Sequence, residues 1–82
     1  MSKLTKKEEV YLRAFGQHVD RLIKKRGYKS AYDFWVNRAG DHISRAALNY
    51  ILAGKNEAKL LTLRTLANLL DIDSKDLLDF RA

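Results

Sequence analysis

Gly27, Gly40 and Gly54 divide this chain into apolar segments that repeat with a helical period. Before Gly27, the residues Leu12, Phe15, Val19, Leu22 and Ile23 recur at three- and four-residue steps, the stripe of an amphipathic helix. Ala31, Phe34, Trp35 and Arg38 do the same before Gly40. Ala47, Leu48, Ile51 and Leu52 do so before Gly54. After it, Leu60, Leu63, Leu66, Ala67 and Leu70 follow helical spacing, with Leu61 and Leu69 widening the stripe, and a last short segment carries Leu77, Leu78 and Phe80. Proline is absent and glycine occurs four times in 82 residues, too few turn residues for a strand-rich fold. The expectation is one all-α domain. A chain this short buries only about 60–65% of its unfolded surface, enough for one small core and too little for a deep substrate pocket.

Local signals set the helix ends. Thr5 with Glu8 is a capping-box pair, so the first helix should start near Lys6. Lys24, Lys25 and Arg26 crowd its last turn, where the helix dipole favours positive charge. Gly16 falls inside this segment and costs about 1 kcal/mol relative to alanine in a helix interior. Either the helix breaks there, so that residues 1–13 form a basic arm, or residues 1–13 begin the helix and a second helix packs close to the glycine. Residues 14–82 are taken as the domain proper. Ser30 and Asp33 form a second capping pair, and Asp41-His42 is a polar turn. Lys55 through Lys59 reads as a loop. Asp71-Ile72 ends the fourth helix, and Asp73 or Ser74 caps the fifth.

Ser44 through Lys55 is the most distinctive stretch. Ser44 suits an N-cap, Ile43 and Leu48 can close a hydrophobic staple, and Gly54 can supply the left-handed residue that stops a helix. At about 100° per residue, Ala47, Leu48, Ile51 and Leu52 share one side. Arg45, Ala46, Asn49, Tyr50 and Ala53 share the other, and that side carries no carboxylate. Arg and Asn are shaped to read guanine and adenine edges in a major groove, and the alanines allow close approach. Two readings of this face stand at this point: a DNA-contacting face and an ordinary surface helix.

The net charge is +6, unevenly spread. Residues 1–30 hold nine basic and three acidic side chains, whereas residues 60–82 hold three and four. Such an excess favours a polyanion partner, nucleic acid first and anionic membrane second; a solvated basic helix is the plainer alternative. Cysteine is absent, so no disulfide, thiol nucleophile or thiolate metal site exists. The two histidines, His18 and His42, lie on different elements, with no metal-ligand spacing. No nucleophile elbow or phosphate-binding glycine loop occurs. No enzyme activity, metal, cofactor or small-molecule ligand is expected. The acidic residues Asp71, Asp73, Asp76 and Asp79 read as caps and surface charge. Trp35 reads as core before it reads as a base-stacking platform. Met1 to Lys7 leads into Glu8-Glu9 rather than an apolar run, and no stretch approaches the ~20 apolar residues that span a bilayer. A cytoplasmic location and no membrane partner are the default expectation.

Three segments in order resemble the Cro/C1-type (XRE-type) helix-turn-helix family of repressors. Phe15-Gly16-x-x-Val19-x-x-Leu22-x-x-x-x-Gly27 is similar to that family's first helix. Ile43-Ser44-Arg45-x-x-Leu48-x-x-Ile51-x-x-Gly54-Lys55 is similar to its recognition helix and the following turn. Thr62-Leu63-x-x-Leu66-Ala67-x-x-Leu70-x-Ile72 is similar to its fourth helix, and Asp76-Leu77-Leu78 continues the spacing. The likeness covers roughly residues 14–78. It departs from the family in the turn between helices two and three, which is about two residues longer, in Val36 where a small residue is preferred, and in Glu57-Ala58, which lacks a proline.

The resemblance implies a compact five-helix lambda-repressor-like fold whose helices two and three form the helix-turn-helix. It implies a transcription regulator, a repressor by family type, that binds double-stranded DNA with the third helix in the major groove. Arg45, Ala46, Asn49 and Tyr50 would read bases. Lys29, Ser30, Ser44 and Lys55 would meet phosphates. It also implies a homodimer on a two-fold site. The chain's own candidate for dimer contacts is Leu77-Leu78-Asp79-Phe80, although closure of its own core is the preferred reading of that run. A rival function is a protein-interaction module that keeps the fold without reading DNA. A third reading, a membrane-surface anchor in the first helix, conflicts with the need of its apolar stripe for the core.

Overall fold

A computed structural model describes residues 4–81. Among these residues it contains five helices and no strand: α1 (Lys6–Lys25), α2 (Ala31–Phe34, continued by a π-helical turn, Trp35–Ala39), α3 (Arg45–Ala53), α4 (Leu60–Leu69) and α5 (Ser74–Leu77). Among the described residues no helix is long and apolar enough to cross a membrane.

The expected capping box opens α1. Thr5 Oγ1 accepts from the Glu8 amide at 3.2 Å, and Glu8 Oε1 accepts from the Thr5 amide at 2.7 Å, so two orphan donors are satisfied reciprocally. The helix then runs through Gly16 without a break, and residues 6–13 are its first two turns. Phe15, Val19 and Ile23 form its buried ridge. The glycine answers to α3, which packs against α1. A Cβ on Gly16 would fall 2.3 Å from the Leu52 carbonyl oxygen and 2.6 Å from that of Ile51. Gly54, at φ +71°, faces α1 in the same way, its missing Cβ pointing within 2.6 Å of Arg13 Cα. Two glycines on facing elements thus let two backbones meet with no side chain between them.

Ser30 caps α2 through its Oγ, which accepts from the Asp33 amide at 3.1 Å. The reciprocal bond goes one residue further back than the usual capping box. Asp33 Oδ2 accepts from the Lys29 amide at 2.8 Å. The helix widens at its end, where the Gly40 amide donates to the Trp35 carbonyl at 2.7 Å. This i→i+5 bond inserts one residue into the turn. Val36, within this turn, is 52% exposed, so its bulk is not spent in the core. Phe34 and Ala39 fill the core instead.

Gly40 to Ser44 lead into α3. Its N-cap is Ser44, whose Oγ accepts from the Ala47 amide at 3.1 Å. At the other end the Lys55 amide donates to the Tyr50 carbonyl at 3.0 Å and the Gly54 amide to Ile51 at 3.1 Å, the Schellman pattern. Leu48 and Ile51 are buried. Leu66, Ala67, Leu69 and Leu70 of the fourth helical segment meet them in one core with Leu77.

The apolar stripe expected for α4 is too long at its start. Leu60 and Leu61 are 80% and 71% exposed, because the first turn of α4 projects beyond the core that its later residues enter. The other end of α4 is held by two distant arginines. Arg26 Nη2 donates to the Asp71 carbonyl at 2.7 Å and Arg38 Nε to the Leu69 carbonyl at 3.3 Å. The Leu69 carbonyl is one that a helix end leaves unpaired, and the Asp71 carbonyl lies in the turn just beyond the helix. Asp71 takes the left-handed conformation at φ +56°, and the chain turns into α5. Asp73 occupies the cap position there without a side-chain bond. Leu77 is fully buried and Phe80 packs on Tyr11, Phe15 and His18. His18 Nε2 also donates to the Asp76 carbonyl at 3.0 Å. Apart from Leu78, which is exposed, the apolar C-terminal run closes the domain's own core.

Candidate nucleic-acid interface

The outward side of α3 presents Arg45, Ala46, Asn49, Tyr50 and Ala53, all exposed. Nine residues at 1.5 Å rise give this helix a length of about 13 Å, comparable with the width of a major groove. Polar groups stand at both of its ends. Beyond the C-terminal end, Lys55 is exposed immediately after Gly54, and Lys59 follows at the start of α4. At the N-terminal end, Ser44 keeps its hydroxyl hydrogen available, because Oγ serves only as an acceptor for Ala47.

Lys29 and Ser30 are exposed at the start of α2, and α2 meets the start of α3. The link is Tyr32, two residues after Ser30, whose ring lies under the Arg45 guanidinium with Cζ 4.7 Å from its centroid. A cation over an aromatic face is held by the ring quadrupole. The Asp33 carboxylate occupies the Lys29 amide and the Ser30 hydroxyl oxygen occupies the Asp33 amide. An anion at this helix start would therefore meet the Lys29 ammonium and the Ser30 O–H rather than those two backbone N–H groups. The single ion pair among the described residues is Lys24–Asp20 at 3.0 Å, one turn apart on α1. Lys29, Arg45 and Lys55 have no carboxylate partner among those residues.

Two arginines of the basic excess also have a structural task. Arg26 and Arg38 each donate one hydrogen bond to a carbonyl at or just beyond the end of α4 while their side chains stay exposed. Arg13 is the addition that sequence reasoning did not single out. Its backbone lies against Gly54, one residue from Lys55, and its side chain is exposed. The signal was present in Gly16: a glycine inside a helix marks the crossing, and Arg13 is three residues before it. Tyr32 was likewise not singled out, since its meaning depends on the α2–α3 crossing rather than on either helix.

Trp35 is half-buried against the core rather than offered as a base platform. Its indole Nε1–H donates to the Ile43 carbonyl at 2.8 Å. His42, in the turn, is exposed near the start of α3. An apolar element adjoins the polar face without replacing it. Leu61 lines a shallow cleft with His42, Ser44 and Ala47. A larger shallow groove of about 420 Å³ lies between the start of α1 and the C-terminal segment, lined by Leu4, Tyr11, Phe15, Leu63 and Leu78 among others. No cluster of three or more metal-ligating side chains occurs among the described residues.

Comparison with known proteins found no matching family model, no matching curated protein and no matching solved structure.

Proposed function

We propose that this chain is a sequence-specific DNA-binding transcriptional regulator of the Cro/C1 helix-turn-helix type. In this reading α2 and α3 form the helix-turn-helix, with a turn lengthened by Asp41-His42, and α3 enters the major groove. The observation that carries the proposal is the outward face of α3. Arg45, Ala46, Asn49 and Tyr50 stand exposed together without a carboxylate, and Lys55, with no ion-pair partner among the described residues, follows directly at the end of the helix.

The roles follow from chemistry. Arg45 presents a two-donor fork that matches guanine O6 and N7, and Asn49 presents the donor–acceptor pair that matches adenine. Ala46 lets the backbone approach and can meet a thymine methyl. Tyr50 reaches a base or a phosphate at the groove wall. Lys29, Ser30, Ser44 and Lys55 contact phosphates and set register without reading sequence. One module of this size reads few base pairs, so a homodimer on a two-fold site in the cytoplasm is part of the proposal.

Selection of bound duplexes from a random pool at low salt tests the reading. The expected result is one enriched motif, with a G·C pair lost from it in Arg45→Ala. Absence of any enriched sequence would sink the proposal.

One observation favours a second reading. Leu60 and Leu61 are more exposed than any other large apolar side chains among the described residues, and contiguous apolar surface marks contact with another protein. A protein-interaction module would use this turn of α4, and its binding would be lost in Leu60→Gln/Leu61→Gln while Arg45→Ala left it intact.

A further inference from the structure

The connection between α2 and α3 sets how the candidate reading helix is aimed. Five residues, Gly40 to Ser44, separate Ala39 from Arg45. The amides of His42 and Ile43 turn this link by donating to the Ala39 carbonyl, each at 2.9 Å, and side-chain contacts add to that control. Two aromatic residues one turn apart on α2 supply them. Trp35 Nε1 donates to the Ile43 carbonyl at 2.8 Å, fixing the backbone one residue before the N-cap. Tyr32 lies beside Trp35, ring centroids 6.4 Å apart and planes 30° apart. Its ring also lies under the Arg45 guanidinium, with Cζ 4.7 Å from the centroid. Arg45, Tyr32, Trp35 and Ile43 therefore form a closed circuit that begins and ends at the start of α3.

We infer that Tyr32 is a specificity-positioning residue, which stacks the Arg45 guanidinium and so sets the base pair that Arg45 meets. The inference rests on Arg45 reading a base. Stacking engages the π face of the guanidinium and leaves its N–H donors pointing outward in plane. A bidentate contact to guanine uses those same edge donors, so the stack and the reading are compatible. An unsupported arginine loses rotamer freedom when it binds; one already stacked has lost much of it in the free protein. The discrimination Arg45 delivers then depends on a residue of the other helix.

The test uses Tyr32→Phe, which keeps the ring, and Tyr32→Leu, which removes it. Tyr32 is 55% exposed, and thermal unfolding of both variants serves as the folding control. In the free protein, the ring current of Tyr32 displaces the Arg45 Hδ resonances upfield. Tyr32→Leu abolishes that displacement and Tyr32→Phe retains it. On a selected duplex, Tyr32→Leu lowers discrimination at one base pair by about two- to five-fold, the range of an exposed cation–π contact. Tyr32→Phe keeps it, and affinity for random duplex is equal in all three proteins. A Tyr32→Leu protein that discriminates as well as the unaltered chain overturns the inference alone, as does a Tyr32→Phe protein that loses as much as Tyr32→Leu. An unaltered chain that selects no sequence overturns the base-reading proposal and this inference together.

Discussion

Gly16 meets the last turn of α3 so closely that a Cβ on it would lie 2.3 Å from the Leu52 carbonyl oxygen. The obstacle is backbone rather than the end of a flexible side chain, so it cannot swing aside. This contact seats α1 under the candidate reading helix and accounts for a glycine in the middle of a 20-residue helix.

Gly16→Ala sets helix propensity against this clash. Propensity alone favours alanine by about 1 kcal/mol. Forcing two packed backbones apart costs about 1–3 kcal/mol or more, so a net loss of stability is expected. Thermal unfolding should show a Tm lowered by several degrees, while Gln17→Ala, at an exposed neighbour, changes it little. A Tm equal to or above that of the unaltered chain would disprove the close-packing account.

Trp35→Phe keeps an aromatic ring beside the core but removes the indole donor. The Ile43 carbonyl, part-buried, then loses its partner, at a cost of about 1–3 kcal/mol. The effect should be local as well as global: amide hydrogen exchange in Ser44 to Leu48 should accelerate more than exchange in α1. Uniform acceleration across the chain would show that Trp35 serves the core and not the start of α3.

Arg45→Ala should cost about 1–3 kcal/mol on the selected duplex and relax preference at one base pair. The measurement is an electrophoretic shift series on the selected site and on its single-base variants. Equal loss on specific and random duplex would remove Arg45 from base reading and leave it as a phosphate contact.

Lys55→Ala should instead weaken all duplexes alike. Removing one phosphate contact should reduce the slope of log K against log salt by about one unit. Arg13→Ala provides a companion measurement, since Arg13 lies beside Gly54. A slope unchanged in Lys55→Ala would mean that the end of α3 does not approach the DNA backbone.

Leu60→Gln combined with Leu61→Gln should leave folding stability within about 0.5 kcal/mol for each site, the usual range for surface substitutions. Sedimentation at micromolar concentration, before and after the change, tests whether this turn joins two copies of the chain. A marked fall in Tm would show that the turn is buried in the native assembly.

Much of the local structure was legible in the chain itself. The Thr5–Glu8 box, the Ser30 and Ser44 caps and the Gly54 stop depend on groups within five residues of one another, and each formed where its pattern stands. The buried side of α3 followed from periodicity, because a helix sends residues three and four apart to one face. The same periodicity overreached at Leu60 and Leu61. It reports which residues could share a face, not how far along a helix the core extends.

The sequence by itself thus determined the helices, the caps at Thr5, Ser30 and Ser44, and the exposed set Arg45, Ala46, Asn49 and Tyr50. Those properties are set by neighbours along the chain and by the 3.6-residue turn. Tertiary structure decided the rest. It placed Gly16 against Leu52, bonded Arg26 and Arg38 to carbonyls at and beyond the end of α4, set Trp35 on the Ile43 carbonyl, and brought the Arg45 guanidinium over the Tyr32 ring. Each of these depends on how two helices cross, and the crossing is fixed by the summed packing of a core to which no single segment holds the key.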